Sequence, residues 1–414
     1  MTPGRRAWPL LAALLLGACG GDDPPATRAQ STSTTALPST TTSTATTAAP
    51  ATTAAPATTA APASTAAPTT RATAPPTTAG CTLGRQSPPA GAVAAQFATA
   101  LAFAPDGRLF FAERAGVIKV VQDGATRVFG TVATVTTEAG GGYSERGLLG
   151  LAVSPNFATD HYVYTFHSAR NRTTQEVVRW TDCAGVGRNP EVIVELPAGG
   201  NCCHKGGRLA FGPDGKLYVT LGDQFTPAAA ANPNDVRGKV LRYNPDGSVP
   251  ADNPFGAGNP VWATGFRNPF GLAIAPSGQV AVTSNGPSGD AGSPRTGYDI
   301  VATHVTRGSA GQWPSCYGYS QPIGGASCPS YEPEWSSEAR AVVPTGATFV
   351  NAAGPAPYAG KLVFCTLSEG MKVLTDGSPH ATVAQGDSGC RLDVKQAPDN
   401  TLYFSDAETI HRVG

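Results

Sequence analysis

The sequence has few charged residues, no patch of one sign, and none of several familiar enzyme motifs. Charged residues make up 14% of its 414 residues, and 29 basic side chains balance 29 acidic ones. The absence of a basic run argues against nucleic acid as a partner. No Gly-x-Ser-x-Gly elbow, phosphate-binding loop or dinucleotide fingerprint is present, so the enzyme classes built on these motifs are not indicated.

A long hydrophobic run is also missing, even at the N-terminus. Arg5 and Arg6 precede an apolar segment from Trp8 to Leu16 that is too short to span a membrane. Leu16-Gly17-Ala18-Cys19 then matches the bacterial lipobox, and an ordinary secretory signal cut nearby is the alternative. The match predicts a lipoprotein signal peptide in residues 1–21 and lipidation of Cys19. We therefore expect an exported cell-envelope lipoprotein, held on the outer face of the membrane by lipid alone.

Two further regions follow the signal. Residues 22–80 consist almost entirely of Thr, Ala, Pro and Ser, a composition that cannot bury a core and predicts a disordered linker. Residues 81–414 read as one domain, and eight cysteines lie within it. An even number of cysteines in an exported chain predicts disulfides, for which Cys316–Cys328 and Cys365–Cys390 are plausible pairs. No Cys-x-x-Cys pair occurs, which argues against zinc.

The most informative feature present is a phrase that recurs six times. Each copy is a short apolar strand, a turn that usually reads Pro-Asp/Asn/Ser, and a second apolar strand. Proline fixes φ at the first corner of the turn, and Asp-Gly tolerates the positive φ needed next. The copies start roughly 45 to 75 residues apart, at Leu101, Leu148, Arg208, Gly271, Thr345 (the weakest) and Arg391.

The repeats predict an all-β, six-bladed propeller with four-stranded antiparallel blades. A single hairpin cannot bury enough apolar surface by itself, whereas copies arranged around an axis can. The spacing suits four strands per blade plus variable loops. The alternative is a generic β-sandwich whose hairpins share the same turn chemistry.

Three polar clusters lie near strands of these repeats. His204 lies in Asn-Cys-Cys-His-Lys-Gly-Gly-Arg, just before a predicted strand, and could act as a general base or simply satisfy a loop. Arg267 and Asn268 lie at the next strand entrance, where they could stabilise negative charge or bind loop carbonyls. Gly286-Pro287, with Asp290 and Asp299 after them, offer the carbonyl and carboxylate oxygens that calcium prefers, although EF-hand spacing is absent.

Taken in order, these motifs resemble the soluble quinoprotein glucose/sorbosone dehydrogenase family. That family includes aldose sugar dehydrogenases and the propeller of hedgehog-interacting protein. The resemblance covers roughly residues 94–413 and includes the upstream motif Glu145-Arg146-Gly147-Leu148-Leu149-Gly150.

The resemblance implies a propeller that binds pyrroloquinoline quinone (PQQ) and calcium. His204 would take the proton of a sugar's anomeric hydroxyl while hydride leaves C1 for the quinone. Arg267 and Asn268 would lie near the quinone, with Glu145 as a further cofactor contact. The carbonyls of Gly286 and Pro287 would bind calcium, with Asp290 or Asp299 as carboxylate ligands.

The sequence departs from the family where the cofactor's carboxylates should bind. The family's Arg-x-Arg-Asp-Val is replaced by Cys390-Arg391-Leu392-Asp393-Val394, so both arginine positions are lost. A family Ser-Leu-Lys is replaced by Thr366-Leu367-Ser368, so its lysine is lost as well. Up to three charge-assisted contacts of ~1.5–3 kcal/mol each disappear. Arg340 and Lys372 are neighbouring cations that could compensate.

Two functions follow from the sequence. The first is a lipid-anchored aldose dehydrogenase that oxidises a sugar hemiacetal to a lactone and uses PQQ, with the electron acceptor unidentified. The second is a propeller that has lost the cofactor and binds a carbohydrate, an envelope component or a protein partner.

Overall fold

The computed structural model describes Cys81, residues 83–376 and residues 378–413. The predicted signal peptide, the lipidation site Cys19 and the Thr/Ala/Pro-rich linker lie outside the described residues. Within the described part of the chain, no helix is long and apolar enough to cross a membrane.

Six four-stranded antiparallel sheets form the propeller, which confirms the predicted fold class. Blade 1 comprises β2 to β5 (Ala98–Phe103, Leu109–Glu113, Val117–Gln122, Ala125–Thr131). Blade 2 comprises β6 to β9 (Leu148–Val153, Tyr162–Ser168, Thr174–Cys183, Val186–Pro197), with the short helix α1 (Phe157–Asp160) after its first strand. Blade 3 comprises β10 to β13 (Leu209–Phe211, Leu217–Leu221, Lys239–Tyr243, Val261–Ala263), with the helix α2 (Pro227–Ala231) after its second strand.

Blade 4 contains an additional hairpin, and blade 6 is completed by a strand from the start of the domain. Blade 4 comprises β14, β15, β16 and β19 (Asn268–Ile274, Val280–Asn285, Ile300–Val305, Trp335–Ser336), and the hairpin of β17 (Cys316–Tyr317) and β18 (Gln321–Pro322) lies between its last two strands. Blade 5 comprises β20 to β23 (Pro344–Phe349, Leu362–Thr366, Gly370–Leu374, Val383–Gln385). Blade 6 comprises β24, β25, β26 and β1 (Val394–Gln396, Leu402–Ser405, Thr409–Val413, Val93–Ala94), so the first strand of the domain completes the last blade.

The recurring turn has the same backbone bonding in four blades. In blade 1 the Gly107 N–H donates to the Ala104 carbonyl, and the Ala104 N–H donates to the Arg108 carbonyl. The residue whose N–H closes the turn has a positive φ in each of the four blades. This explains why glycine or asparagine occupies that position. These residues are Gly107, Gly215, Gly278 and Asn400, with φ of 100°, 70°, 88° and 70°.

The first strand of each blade lies next to the axis. The six inner strands contact one another in ring order, and the sixth contacts the first. The apolar core is divided into clusters between neighbouring blades; one joins Phe110 and Ile118 of blade 1 to Leu151 and Trp180 of blade 2. The start of an inner strand and the end of the next strand therefore reach the same end of the propeller, because the two strands are antiparallel.

Four disulfides reinforce this arrangement. The predicted pairs Cys316–Cys328 and Cys365–Cys390 are confirmed. Cys81–Cys183 ties the start of the domain to blade 2. The fourth joins the adjacent residues Cys202 and Cys203, immediately before His204.

Candidate active site

The sequence-predicted side chains meet at one end of the propeller. His204 precedes β10, and Arg267 and Asn268 lie at the start of β14. Gly286 instead follows β15, so its connection is not equivalent to those of His204 and Arg267, although all three reach the same end. A cavity there is lined by His204, Glu145, Asn268, Arg267, Gly286, Pro287, Asp299, Tyr143, Phe270, Asn285, Ser288, Arg295, Thr296, Gly297, Ala341, Val343 and Leu367.

His204 is held by a carboxylate that the sequence analysis missed. Its Nδ1 lies 2.5 Å from Oδ1 of Asp223, and both side chains are fully buried. Asp223 also accepts hydrogen bonds from Trp313 Nε1 (2.7 Å) and the Phe225 N–H (3.0 Å). An acceptor at Nδ1 favours the tautomer with its proton on Nδ1, which leaves the lone pair on Nε2. Asp223 follows the second strand of the repeat that His204 precedes, and that position is the signal that could have identified it.

The other ring nitrogen of His204 is uncommitted. Nε2 is buried and has no hydrogen-bond partner among the residues that the structure describes. The ring stacks on Phe225 at a centroid distance of 4.0 Å and lines the cavity. A buried, unpaired acceptor costs free energy unless a ligand pairs with it, so Nε2 marks a place where a donor group can bind.

Asn268 and Glu145 form a network that joins three blades. Asn268 Nδ2 donates to Glu145 Oε2 at 3.2 Å and to Asn285 Oδ1 at 3.1 Å. Asn268 Oδ1 accepts from the Gly206 N–H at 3.2 Å, and Glu145 Oε2 accepts from the Lys205 N–H at 3.3 Å. The predicted cofactor-contacting residues Asn268 and Glu145 thus fix the backbone that follows His204.

Arg267 is bonded to the loop that was predicted to hold calcium. Its Nε donates to Asp290 Oδ2 at 2.7 Å, and its other nitrogens donate to the Gly286 carbonyl at 2.5 Å and to Ser288 Oγ at 2.6 Å. Burial acts to raise the pKa of Asp290, but the Arg267 guanidinium and the Ser288 N–H outweigh it and hold that pKa below its usual range. Asp290 is therefore a carboxylate paired with an internal cation.

Asp299 lines the cavity and uses both of its carboxylate oxygens to bind backbone donors. Its carboxylate accepts from the N–H groups of Gly286 (2.7 Å), Val342 (2.7 Å) and Val343 (2.9 Å). Burial raises the pKa of Asp299, and the three backbone bonds partly offset that effect. Its contacts tie the Gly286 loop to the start of blade 5.

The predicted calcium ligands fit a second cation poorly while Arg267 holds this position. The Gly286 carbonyl and the Asp290 carboxylate already bind Arg267, and Asp299 binds three N–H groups. Ligand atoms of His204, Asp223 and Asp290 do lie within 4.8 Å of one another. Asp223, however, already accepts from three donors.

Among the described residues, blade 5 brings apolar side chains to the cavity lining, and blade 6 brings none. Val343 and Leu367 line the cavity from blade 5. Arg391 does not line it and donates to the Leu367 carbonyl at 3.2 Å. Arg340 and Lys372, the cations that could have compensated for the lost arginines, both pair with Glu369, at 3.1 and 2.7 Å.

Arg295 also lines the cavity, but its surroundings differ from those of the other charged residues there. It lies on the loop after Pro287, is exposed, and lines the cavity. Among the described residues, no protein group forms a hydrogen bond or ion pair with its guanidinium. The loop after Pro287 therefore brings a cation to the rim of the cavity.

The disulfide between adjacent cysteines supports the approach to His204. The Cys202 carbonyl accepts the Glu145 N–H at 2.9 Å and Ser144 Oγ at 3.2 Å. His204 itself has φ of 56°, in the left-handed region that non-glycine residues rarely adopt. The backbone at His204 is thus held on its N-terminal side by the Cys202–Cys203 disulfide and on its C-terminal side by the hydrogen bonds of Asn268 and Glu145.

Comparison with known proteins agrees with this architecture. The family model described as "Glucose / Sorbosone dehydrogenase" matches residues 95–412. The chain belongs to this family of sugar dehydrogenases.

Individual relatives match over smaller shares of their length. Quinoprotein glucose dehydrogenase B of Acinetobacter calcoaceticus is 34% identical over 258 residues, which cover 54% of this chain and 52% of that protein. An aldose sugar dehydrogenase of Escherichia coli is 29% identical over 164 residues, covering 36% of this chain and 43% of that protein. This chain thus spans about half or less of the length of these curated relatives.

Solved structures match the whole propeller. An oxidoreductase from Thermus thermophilus, described as a glucose dehydrogenase, has a TM-score of 0.65 at 28% identity, over 77% of this chain and 97% of its own. The PQQ-bound aldose sugar dehydrogenase of Streptomyces coelicolor has a TM-score of 0.60 at 23% identity, over 79% of this chain and 99% of its own. At that identity the second likeness supports the fold alone.

Proposed function

We propose that this protein oxidises the C1 hydroxyl of an aldose to the lactone, with PQQ as its cofactor. The observation that carries the proposal is the buried, unpaired Nε2 of His204, held by Asp223 at Nδ1. A base in this state can accept the anomeric hydroxyl proton as the C1 hydride departs. When bound, PQQ supplies the two-electron acceptor for that hydride.

Each polar residue has a distinct role in this proposal. Asp223 orients His204 and stabilises the imidazolium that forms when Nε2 takes the proton. Asn268 and Glu145 hold the backbone at Lys205 and Gly206 in register with His204. Three of the five N–H donors of Arg267 are in use, and its fixed positive charge favours negative charge that develops in the cavity.

The carboxylates of the quinone require cations, and the cavity offers fewer than the family pattern. Arg295 is the cation at the rim that can meet a carboxylate without first breaking an internal ion pair. We therefore propose that PQQ binds, but more weakly than the family's Arg-x-Arg-Asp-Val signature would allow. No step of the proposed reaction depends on calcium, because two of its predicted ligands, Gly286 and Asp290, bind Arg267.

Titration with PQQ, followed by dye reduction with a panel of aldoses, tests the proposal. The expected result is saturable quinone binding and a dye-reduction rate that requires both aldose and PQQ. Saturable binding without turnover on any aldose would contradict the proposed reaction.

A second function is favoured by the part of the cavity that blade 5 lines. There Val343 and Leu367 are apolar, and the nearby cations Arg340 and Lys372 pair with Glu369. A propeller of this kind could bind a carbohydrate, an envelope component or a protein partner without the cofactor. Aldose binding measured by calorimetry in the complete absence of PQQ affinity would favour this second function.

We also propose that the protein is exported and lipid-anchored at Cys19. Four disulfides favour an oxidising compartment over the cytosol. Metabolic labelling with a palmitate analogue, compared between the native sequence and Cys19→Ala, tests this location. Equal labelling of the two would contradict it.

A further inference from the structure

The loop 286–290 binds a cation that belongs to the chain itself. Three kinds of oxygen surround Arg267: the Gly286 carbonyl, Ser288 Oγ and the Asp290 carboxylate, at 2.5, 2.6 and 2.7 Å from its nitrogens. Carbonyl, hydroxyl and carboxylate oxygens are the donor types that a hard divalent cation takes. Here the guanidinium satisfies all three.

The carboxylates in this region have hydrogen-bond donors within the chain. Asp290 carries the charge that pairs with Arg267, at 2.7 Å. The two other carboxylates nearby, Asp223 and Asp299, each accept from three donors of the chain. Calcium takes six to eight oxygens, and the Gly286, Ser288 and Asp290 oxygens that the loop could offer it are already bonded to Arg267.

Arg267 is also held on its other side. Its side chain is only 4% exposed, and its guanidinium lies 5.8 Å from the centroid of the Trp313 ring, within reach of a cation–π interaction. Trp313 in turn donates to Asp223, the partner of His204. Moving Arg267 aside would break three charge-assisted hydrogen bonds and disturb the residue that supports Asp223.

We propose that Arg267 is a built-in replacement for calcium in this loop, so that the folded site is complete without a divalent ion. The sequence alone predicts calcium because Gly286, Pro287 and Asp290 look like a ligand set. The geometry assigns two of these residues, together with Ser288, to the guanidinium. This inference goes beyond the proposed reaction and does not depend on it.

Calcium binding by the quinone-free protein tests the inference. The protein is stripped with EGTA, titrated with calcium chloride by calorimetry, and melted in calcium and in EGTA. We expect no stoichiometric binding below millimolar calcium and the same melting temperature in both buffers. Stoichiometric binding at micromolar calcium, with a melting temperature that EGTA lowers, would overturn the proposal.

Two variants separate the guanidinium from its oxygens. Arg267→Ala frees the oxygens of Gly286, Ser288 and Asp290, so its melting temperature should become sensitive to calcium. Arg267→Lys keeps a cation there and should remain insensitive. A folded Arg267→Ala protein with no calcium response would show that these oxygens are not a cation site, which would also contradict the inference. Should Arg267→Ala not fold, the native protein and Arg267→Lys still decide the question, because a calcium-stabilised Arg267→Lys protein would contradict it.

Discussion

Blades 3 and 6 contribute to the same end of the propeller in opposite ways. Blade 3 places His204 before its inner strand and Asp223 after its second, and the pair leaves one buried nitrogen unpaired on a residue that lines the cavity. At the corresponding place in blade 6, Arg391 donates to the Leu367 carbonyl and Asp393 pairs with Lys395 at 3.0 Å. The half of the site proposed to transfer the proton has its base and the partner of that base in place, whereas the half that would hold an anionic cofactor uses its charges within the fold.

The largest effect is expected at the base itself. His204→Gln removes the acceptor at Nε2, and the saturated rate of aldose oxidation should fall by about 10²–10⁴-fold. Steady-state dye reduction at saturating PQQ measures it. His167→Gln, which changes a buried histidine of blade 2, is the matched control and should retain the rate. An unchanged rate in His204→Gln would show that His204 does not act as the general base.

The partner of the base should matter next. Asp223→Asn keeps the shape but removes the negative charge at Nδ1, and we expect a fall in kcat of about 10²-fold, at the low end of the range for general-base catalysis.

Asp406→Asn provides the control for this change. Asp406 binds His411 Nε2 at 2.8 Å, so the variant alters a similar carboxylate–histidine pair outside the cavity. An unchanged kcat in Asp223→Asn would contradict the role assigned to Asp223.

Restoring one of the lost cations on blade 5 should strengthen the binding of PQQ. Ser368→Lys places a cation just after β21, at the position where the family has its lysine. One charge-assisted contact of ~1.5–3 kcal/mol should tighten PQQ binding about ten- to hundredfold. A quinone fluorescence titration measures the change, and Ser378→Lys, elsewhere on blade 5, controls for net charge. Equal affinity in the two lysine variants would show that blade 5 does not face the cofactor.

Arg295 should have a smaller effect because it is exposed. Arg295→Gln removes the uncommitted cation at the rim, and ~1 kcal/mol for an exposed pair corresponds to about fivefold weaker PQQ binding. The same titration at low and high salt should show that the native protein loses more affinity with salt than the variant does. Arg307→Gln, on a loop outside the cavity, controls for the loss of one charge, and an effect of the same size there would remove Arg295 from the site.

The smallest effect concerns stability and comes from Lys205, next to the base. Burial, reinforced by the positive charge of Arg146, lowers the pKa of Lys205 from 10.5 to about 8. Between these two pH values the unfolded chain binds more protons than the folded one, so the free energy of unfolding should rise with pH.

Chemical denaturation at pH 8, 9 and 10 measures that rise. Lys239 has a pKa lowered to about 8 for the same main reason, so part of the rise should persist in Lys205→Met. Lys361→Met, remote from the cavity, should keep the slope of the native protein. A slope unchanged in Lys205→Met would contradict the assignment.

Much of the fold could be predicted from the sequence because its turn chemistry is local. The Pro-Asp/Asn/Ser turn between two apolar strands indicates a hairpin by itself, and six copies of the phrase indicate the ring. The pairing of β1 with β26 could not be predicted in this way, because two residues at the start of the domain carry no pattern. The sequence likewise carries no signal that Arg340 and Lys372 form ion pairs with Glu369 instead of lining the cavity.

The site could be predicted only where neighbouring residues share one connection. His204 and Arg267-Asn268 stand out as polar clusters before apolar strands, and the structure brings them together. Asp223 could not be predicted because it is separated in sequence from its partner His204. The two side chains meet only once β10 and β11 pair as a hairpin. The Cys202–Cys203 bond was missed because adjacent cysteines are usually assigned to separate partners.

The most direct test of the account is a single turnover watched on the quinone. The protein is saturated with PQQ without oxygen or dye and then mixed with aldose while the quinone absorbance is followed. The account predicts that aldose bleaches the absorbance in the native protein and at least a hundredfold more slowly in His204→Gln, from the contribution of a general base. Quinone-saturated native protein whose absorbance no aldose changes would contradict the claim that the His204 half of the site is competent.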